Sequence, residues 1–250
     1  MSTKDSLGDR MKTYEGAYRI GLPIRMPVII RIDGKAFHSY TKGCKKPVDD
    51  NLVDCMNQTA TYLCKNVQGC QLAYVQSDEI SLLLKNYSSI ETQAWFDNNL
   101  QKMVSVSAGM ASAVFTSVSP QIFGVHKLAI FDSRAFILPK EEVCNYFIWR
   151  QQDATRNSVQ MLARTLYSHK ECNNKNNSEL QELCFQKGIN WNFCPIPQKR
   201  GRAIVKVKTF KSGTNPITGE EFSAERSDWV VDNTIPIFSE DREYIDKLVR

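Results

Sequence analysis

The segment QLAYVQSDEISLLL, residues 71–84, constrains the fold more than any other stretch of the chain. Two apolar runs, LAYVQ and ISLLL, flank a short polar SDE. That pattern is a tight antiparallel hairpin carrying its acidic residues at the bend. A second buried strand is written in PVIIRID, residues 27–33, which stops at Asp33 and is followed by Gly34.

A turn-rich basic stretch, KGCKKPVDD, follows the first strand and contains Lys42, Lys45 and Lys46. Asp49 or Asp50 then caps a helix from about Asn51 to Val67, with apolar positions at Leu52, Val53, Met56, Ala60 and Leu63. After the hairpin, a Ser-rich helix is predicted over about residues 93–117, and KLAIFDSRAFILP reads as one or two strands. The order strand, helix, hairpin, helix, strand is that of a ferredoxin-like βαββαβ unit. The fold class is therefore α+β, with the helices of residues 1–139 on one face of the sheet.

Pro139, with Glu141 and Glu142 behind it, opens a long helix to about Ser168. A polar loop and a short helix over 178–187, closed by Gly188, come next. In RAIVKVKT, Arg202, Lys206 and Lys208 share one face, and SDWVV returns as the second strand of a ribbon around TNPITGEE. Residues 140–250 thus supply C-terminal helices and a basic β-ribbon that pack with residues 1–139 as one unit.

With 250 residues, the chain has room for one or two domains. Hydrophobic residues at 42% and charged residues at 24% exclude a disordered or collagenous chain. The longest uncharged run, Met103 to Val125, carries several Ser and Thr and reads as a buried helix with small residues on its packing face. The polar N-terminus is not a secretory signal, so a cytoplasmic protein without a membrane is expected. Eight cysteines without a CxxC pair leave zinc ribbons and thioredoxin sites unsupported and fit reduced thiols. No Walker A, HExxH or GxSxG string occurs. The net charge of +5 permits an anionic partner.

Two places put carboxylates where a structural protein gains little: Asp33 at a strand end, and Asp78 with Glu79 at the hairpin bend. In a ferredoxin-like sheet these are neighbours. Carboxylates held together repel unless a cation sits between them, and oxygen-only ligands favour Mg²⁺. Two such ions, about 4 Å apart, activate a hydroxyl and neutralise a leaving pyrophosphate. Gly34, lacking a Cβ, lets its backbone approach an ion or phosphate, and Lys35, Ala36, Phe37 and His38 then line a triphosphate and base, the two aromatic rings offering stacking faces. The plainer reading makes Asp33-Gly34 and Ser77-Asp78 ordinary turn residues. Arg150, Asp153 and Asn157 fall on one helix face, either as a solvated stripe or with Arg150 and Asn157 on a triphosphate and Asp153 holding Arg150. Lys199, Arg200, Arg202, Lys206 and Lys208 form either a solvated ribbon or a contact with an RNA backbone.

Longer strings carry a resemblance. RIDGKAFHSYTKG, KP-V-D, QSDEISLLL, FDSRAFILP and FIWRQQDATRNSV are similar, in order, to the blocks of the tRNA(His) guanylyltransferase family. The resemblance implies a polymerase-palm-like sheet and a 3′–5′ nucleotidyltransferase. Such an enzyme activates a tRNA 5′-phosphate with ATP or GTP and then adds a nucleotide through the 3′-hydroxyl of an incoming GTP or templated triphosphate. It also implies two Mg²⁺ ions per active site on Asp33, the Gly34 carbonyl and Asp78, with Glu79 supporting the acidic centre. Nucleotide contacts fall to residues 33–38, Lys46, Ser77, Asp78, Arg150 and Asn157, and the assembly is a homotetramer. The eukaryotic string H-I-N-N-L-Y is replaced here by Thr155-Arg156-Asn157-Ser158-Val159, and Val48 stands where many members have Asn. These departures resemble the bacterial and archaeal-type relatives, which favour templated repair of tRNA 5′ ends. The alternatives are a palm-fold RNA- or nucleotide-binding protein without catalysis, and a palm-type cyclase.

Overall fold

The computed structural model describes residues 6–124, 126–214, 219 and 221–250. Helix α1 (Leu7–Gly16), which the sequence reading did not anticipate, is capped by Ser6 and buries no residue. Strand β1 (Val28–Gly34) is followed by a single turn, α2 (Phe37–Tyr40), entered through Ala36 in the left-handed region at φ 55°. Helix α3 (Asp50–Asn66) starts at Asp49, whose carboxylate accepts the amides of Asn51 and Leu52. The hairpin is β2 (Cys70–Gln76) and β3 (Glu79–Leu84), joined by Ser77 and Asp78 alone.

Helix α4 spans Leu100–Phe123, later than predicted. Residues Trp95–Asn98 form a 3-10 turn with Phe96 and Asp97 at positive φ, and Asn99 caps the helix through the Lys102 amide. By length and composition α4 is apolar enough to cross a membrane. Here it packs one face, Met103, Ser107, Ala111, Phe115 and Ser119, on the sheet and leaves the other open. Its hydroxyls fasten it to β4 (Phe131–Ile137): Ser107 meets Ser133 at 2.7 Å, and the Phe131 amide donates to Ser112 at 3.0 Å.

Helix α5 (Lys140–Leu166) leads into α6 (His169–Cys172), α7 (Asn177–Gln186) and α8 (Ile196–Arg200). The ribbon of β5 (Arg202–Thr214) and β6 (Glu221–Asp232) follows, and α9 (Glu243–Val249) ends the chain. Most of the expected ribbon turn lies outside the described residues.

The six strands are antiparallel, in the order β4-β1-β3-β2-β5-β6. Strand pleat sends Val28, Ile30, Ile32, Ile80 and Leu82 to one face, where α3 and α4 cover them. Ile29, Leu72, Tyr74 and Leu83 go to the other, under Val143 and Phe147 of α5. Both palm helices lie on one face, as expected, and the C-terminal region covers the opposite one. Asp33 shares the pleat side of Ile29, so it points toward α5.

Candidate active site

The register places the acids. Asp33 on β1 pairs with Glu79 on β3 and with Asp132 on β4, so three carboxylates stand in one row on the α5 side. Asp78 joins them from the bend, where the Gly34 amide donates to the Asp78 carbonyl at 3.1 Å. The outer two members have cations. Glu79 accepts from Arg150 Nε at 2.8 Å and Nη2 at 2.7 Å, and Asp132 accepts from Arg134 at 3.0 Å. Among the described residues, Asp33 and Asp78 have no ion-pair partner.

Burial, with the charges of Asp33 and Glu79 nearby, pushes the Asp78 carboxyl above the ordinary range, against a hydrogen bond from Ser77 that pulls the other way. Two uncompensated carboxylates in a partly buried cleft fit a hard divalent cation. Among the described residues no three His, Cys, Asp or Glu side chains converge closely enough to hold a metal unaided. A cation here therefore completes its shell from backbone, water or substrate oxygens, as Mg²⁺ ordinarily does.

Asp33, Ser77, Asp78, Glu79, Arg150 and Asn157 all line one hollow of about 350 Å³. Arg150 is buried, and two of its three nitrogens are committed to Glu79 and Asp153. Burial disfavours the charged guanidinium, but the Glu79 hydrogen bond and the charges of Glu79 and Asp153 outweigh it and raise its pKa. Its first duty is to clamp Glu79 rather than to wait free for an anion. Asn157 is exposed and reaches Asp153 at 3.4 Å.

A second hollow of about 490 Å³ meets the first at Ser77, Asp78 and Asn157 and is lined by Gly34, Ala36, His38 and Lys46. Among the described residues, the amides of Ala36, Phe37 and His38 donate to no backbone carbonyl. Lys35 lines neither hollow; its amide is spent on Ile130 at 2.8 Å and its side chain is exposed. The Phe37 ring does not offer a stacking face. It is 3% exposed and packs on Tyr40, Phe115 and Phe131. The Gly34 requirement also differs from the expected one, because a Cβ there would sit 2.3 Å from the Phe37 ring. Glycine is needed at 34 so that Phe37 can fold back over the strand end.

Three further residues complete the second hollow or the acidic row. Asp49 is buried, and although burial pushes its carboxyl up, amide hydrogen bonds from Lys45, Leu52 and Asn51 bring it below the usual range. Arg202, expected on a solvated face, is 3% exposed, hydrogen-bonds Asn57 and the Val53 carbonyl, and lines the second hollow. Burial without a carboxylate partner lowers its pKa to about 10. Asp132 sits inside FDSRAFILP, and only strand register brings it to Asp33. Farther out on the ribbon, Lys206 and Lys208 are exposed, and Lys208 is paired to Glu225 at 2.8 Å.

Residues 8–139 match the sequence model of the family described as tRNAHis guanylyltransferase. A bacterial tRNA(His) guanylyltransferase-like protein solved in complex with ATP is 50% identical, covers 98% of this chain and 99% of its own, and superposes with a TM-score of 0.87. A structure of the same description in complex with GTP is 49% identical over 98% and 99%, with a TM-score of 0.82. A probable tRNA(His) guanylyltransferase of Dictyostelium discoideum is 29% identical over 243 residues, 88% of this chain and 90% of that protein. With its palm-like sheet, its acidic row and these relatives, the chain belongs to the tRNA(His) guanylyltransferase family of nucleotidyltransferases.

Proposed function

We propose that the protein is a Mg²⁺-dependent 3′–5′ nucleotidyltransferase that adds nucleotides to tRNA 5′ ends, with templated end repair as its preferred task. The observation that carries this reading is the pair Asp33 and Asp78, left without cations in a row whose outer acids are neutralised. Asp33, the Gly34 carbonyl and Asp78 hold two Mg²⁺ ions, which when bound supply charge neutralisation for phosphates and activation of a hydroxyl. Glu79, clamped by Arg150, keeps the acidic row in register and prevents the guanidinium from neutralising Asp33.

The triphosphate lies along the free amides of Ala36, Phe37 and His38, with Ser77, Lys46 and Asn157 around it; amides aimed at one point suit phosphate oxygens. The base enters the larger hollow, and Lys35 points away. The ATP and GTP complexes of the bacterial relatives support both nucleotides as substrates. ATP or GTP activates the 5′-phosphate, and the 3′-hydroxyl of the incoming nucleotide displaces the activating group. Residues 1–139 are the catalytic palm, and 140–250 work with it as one unit because β5 continues the sheet beside β2. Thr155, in place of a histidine, supports repair over strict addition to tRNA(His).

The deciding experiment incubates the chain with labelled GTP, Mg²⁺ and a 5′-truncated tRNA. Label should enter the RNA and should fail to enter with Asp33→Ala or Asp78→Ala protein that melts like the parent. Full incorporation by Asp78→Ala refutes the assignment. A strong preference for full-length tRNA(His) over truncated non-His tRNAs refutes the repair preference.

A further inference from the structure

A third hollow, about 670 Å³, opens on the flank of α5 beside the acidic cleft. Positions 150, 153, 157 and 160 of α5 line the cleft, whereas Trp149, Gln152 and Arg156 line this groove; at 100° per residue the two sets lie on neighbouring flanks of the helix. Trp191, Lys199 and Ile237 line it too. Three cations, Arg156, Lys199 and Arg200, line it, Arg156 being paired with Asp153 of the cleft, and no carboxylate does, while the cleft holds four acids.

Both indoles are held before any ligand arrives. Trp149 is 48% exposed, yet the Arg150 and Arg31 guanidinium carbons lie 4.4 and 5.7 Å from its ring centre, and Tyr146 meets it edge-on at 5.9 Å. Trp191 donates its Nε1 proton to Ser158 at 3.0 Å and carries Lys199 Nζ 5.5 Å from its ring centre. Fixed aromatic rings set among cations suit an unpaired nucleic-acid strand, because every base has a stacking face and each phosphate seeks positive charge. Little side-chain ordering remains to be done on binding. A second copy of this chain would bring its own net charge of +5 to a groove already positive.

We propose that this groove holds the unpaired 3′ tail of the tRNA whose 5′ end enters the acidic cleft. The inference rests on the tRNA reading above. The two ends of a tRNA lie together at one end of its acceptor stem. With the 5′ end on one flank of α5, the 3′ tail crosses the helix and lies on the other.

The test is equilibrium binding of the full chain to fluorescent tRNA with and without its 3′ tail. Removing the tail should weaken wild-type binding about tenfold. Trp149→Ala should weaken binding of the tailed RNA by a similar factor and of the tail-less RNA by less than about twofold. Gln152 is exposed on α5, so Gln152→Glu leaves the fold intact while placing a carboxylate in the groove. It should cost about threefold on the tailed RNA alone. Equal losses on both RNAs, or no effect of removing the tail, overturn the proposal while leaving the tRNA reading in place. A wild-type chain that binds neither RNA overturns both. A change in sedimentation with Gln152→Glu, without selective loss of the tailed RNA, identifies the groove as a contact between copies and overturns the proposal.

Discussion

Replacing Glu79 by Gln tests the reasoning about the acidic row at its most buried point. Glu79 and Arg150 have side chains only 9% and 8% exposed, and they share two hydrogen bonds of 2.8 and 2.7 Å. Glutamine keeps the shape, but it removes the charge and turns an amide donor toward a guanidinium that can only donate. Breaking a buried pair by neutralising one partner costs about 3–5 kcal/mol, most of it the uncompensated charge left behind. Arg150 retains Asp153 at 2.9 Å, which sets the expected loss at the low end, about 3 kcal/mol. For a chain of this size that corresponds to a fall in melting temperature of about 6–12 °C. Urea denaturation followed by tryptophan fluorescence measures it. The double replacement Glu79→Gln with Arg150→Met should recover part of the loss, because the buried charge left without its partner is then removed. The single variant should also need more Mg²⁺ for half-maximal activity, since the released guanidinium turns to Asp33. A single-variant loss below about 1 kcal/mol would show that the pair is solvated and the reasoning unsound.

Asp78 gives a pH prediction. Its carboxyl is raised by burial and by Asp33, so its contribution to stability is present at low pH and is lost as pH rises through its folded pKa. In chelator, Asp78→Asn should therefore melt above wild type at neutral pH, with the difference vanishing in acid, and Mg²⁺ should stabilise wild type but not the variant. Asp49→Ala removes the α3 cap and should cost about 1 kcal/mol by denaturant titration. Because the Asp49 carboxyl is held low, that contribution should disappear as pH falls through its folded pKa. Gly34→Ala pushes a methyl group into the Phe37 ring and should lower stability by about 1–3 kcal/mol while raising the GTP dissociation constant, read by isothermal titration.

The hairpin, β1 and the helix spans of α3 and α5 were legible because apolar period and capping acids are local properties. So was the meeting of Asp33 with Asp78, once the order of elements made the first strand and the hairpin neighbours. Asp132 was not legible as a member of the row, because its place depends on which β4 residue stands opposite Asp33. Arg202 misled for a related reason. Its strand alternates as read, but the alternation carries it under α3 before the ribbon leaves the sheet. Phe37 looked like a stacking face until the Gly34 backbone, with no Cβ, let the ring close over it. The start of α4 was misplaced because Phe96 and Asp97 adopt left-handed backbone that their side chains do not announce.

The Gly34 amide bonded to the Asp78 carbonyl ties two remote parts of the sequence through main chain alone. Replacing either acid leaves that tether intact, so a variant stripped of both carboxylates still presents the same platform at the same spacing. Such a protein is a natural inert trap. It would grip its polynucleotide without turning it over, and would hold the encounter complex still long enough to be seen.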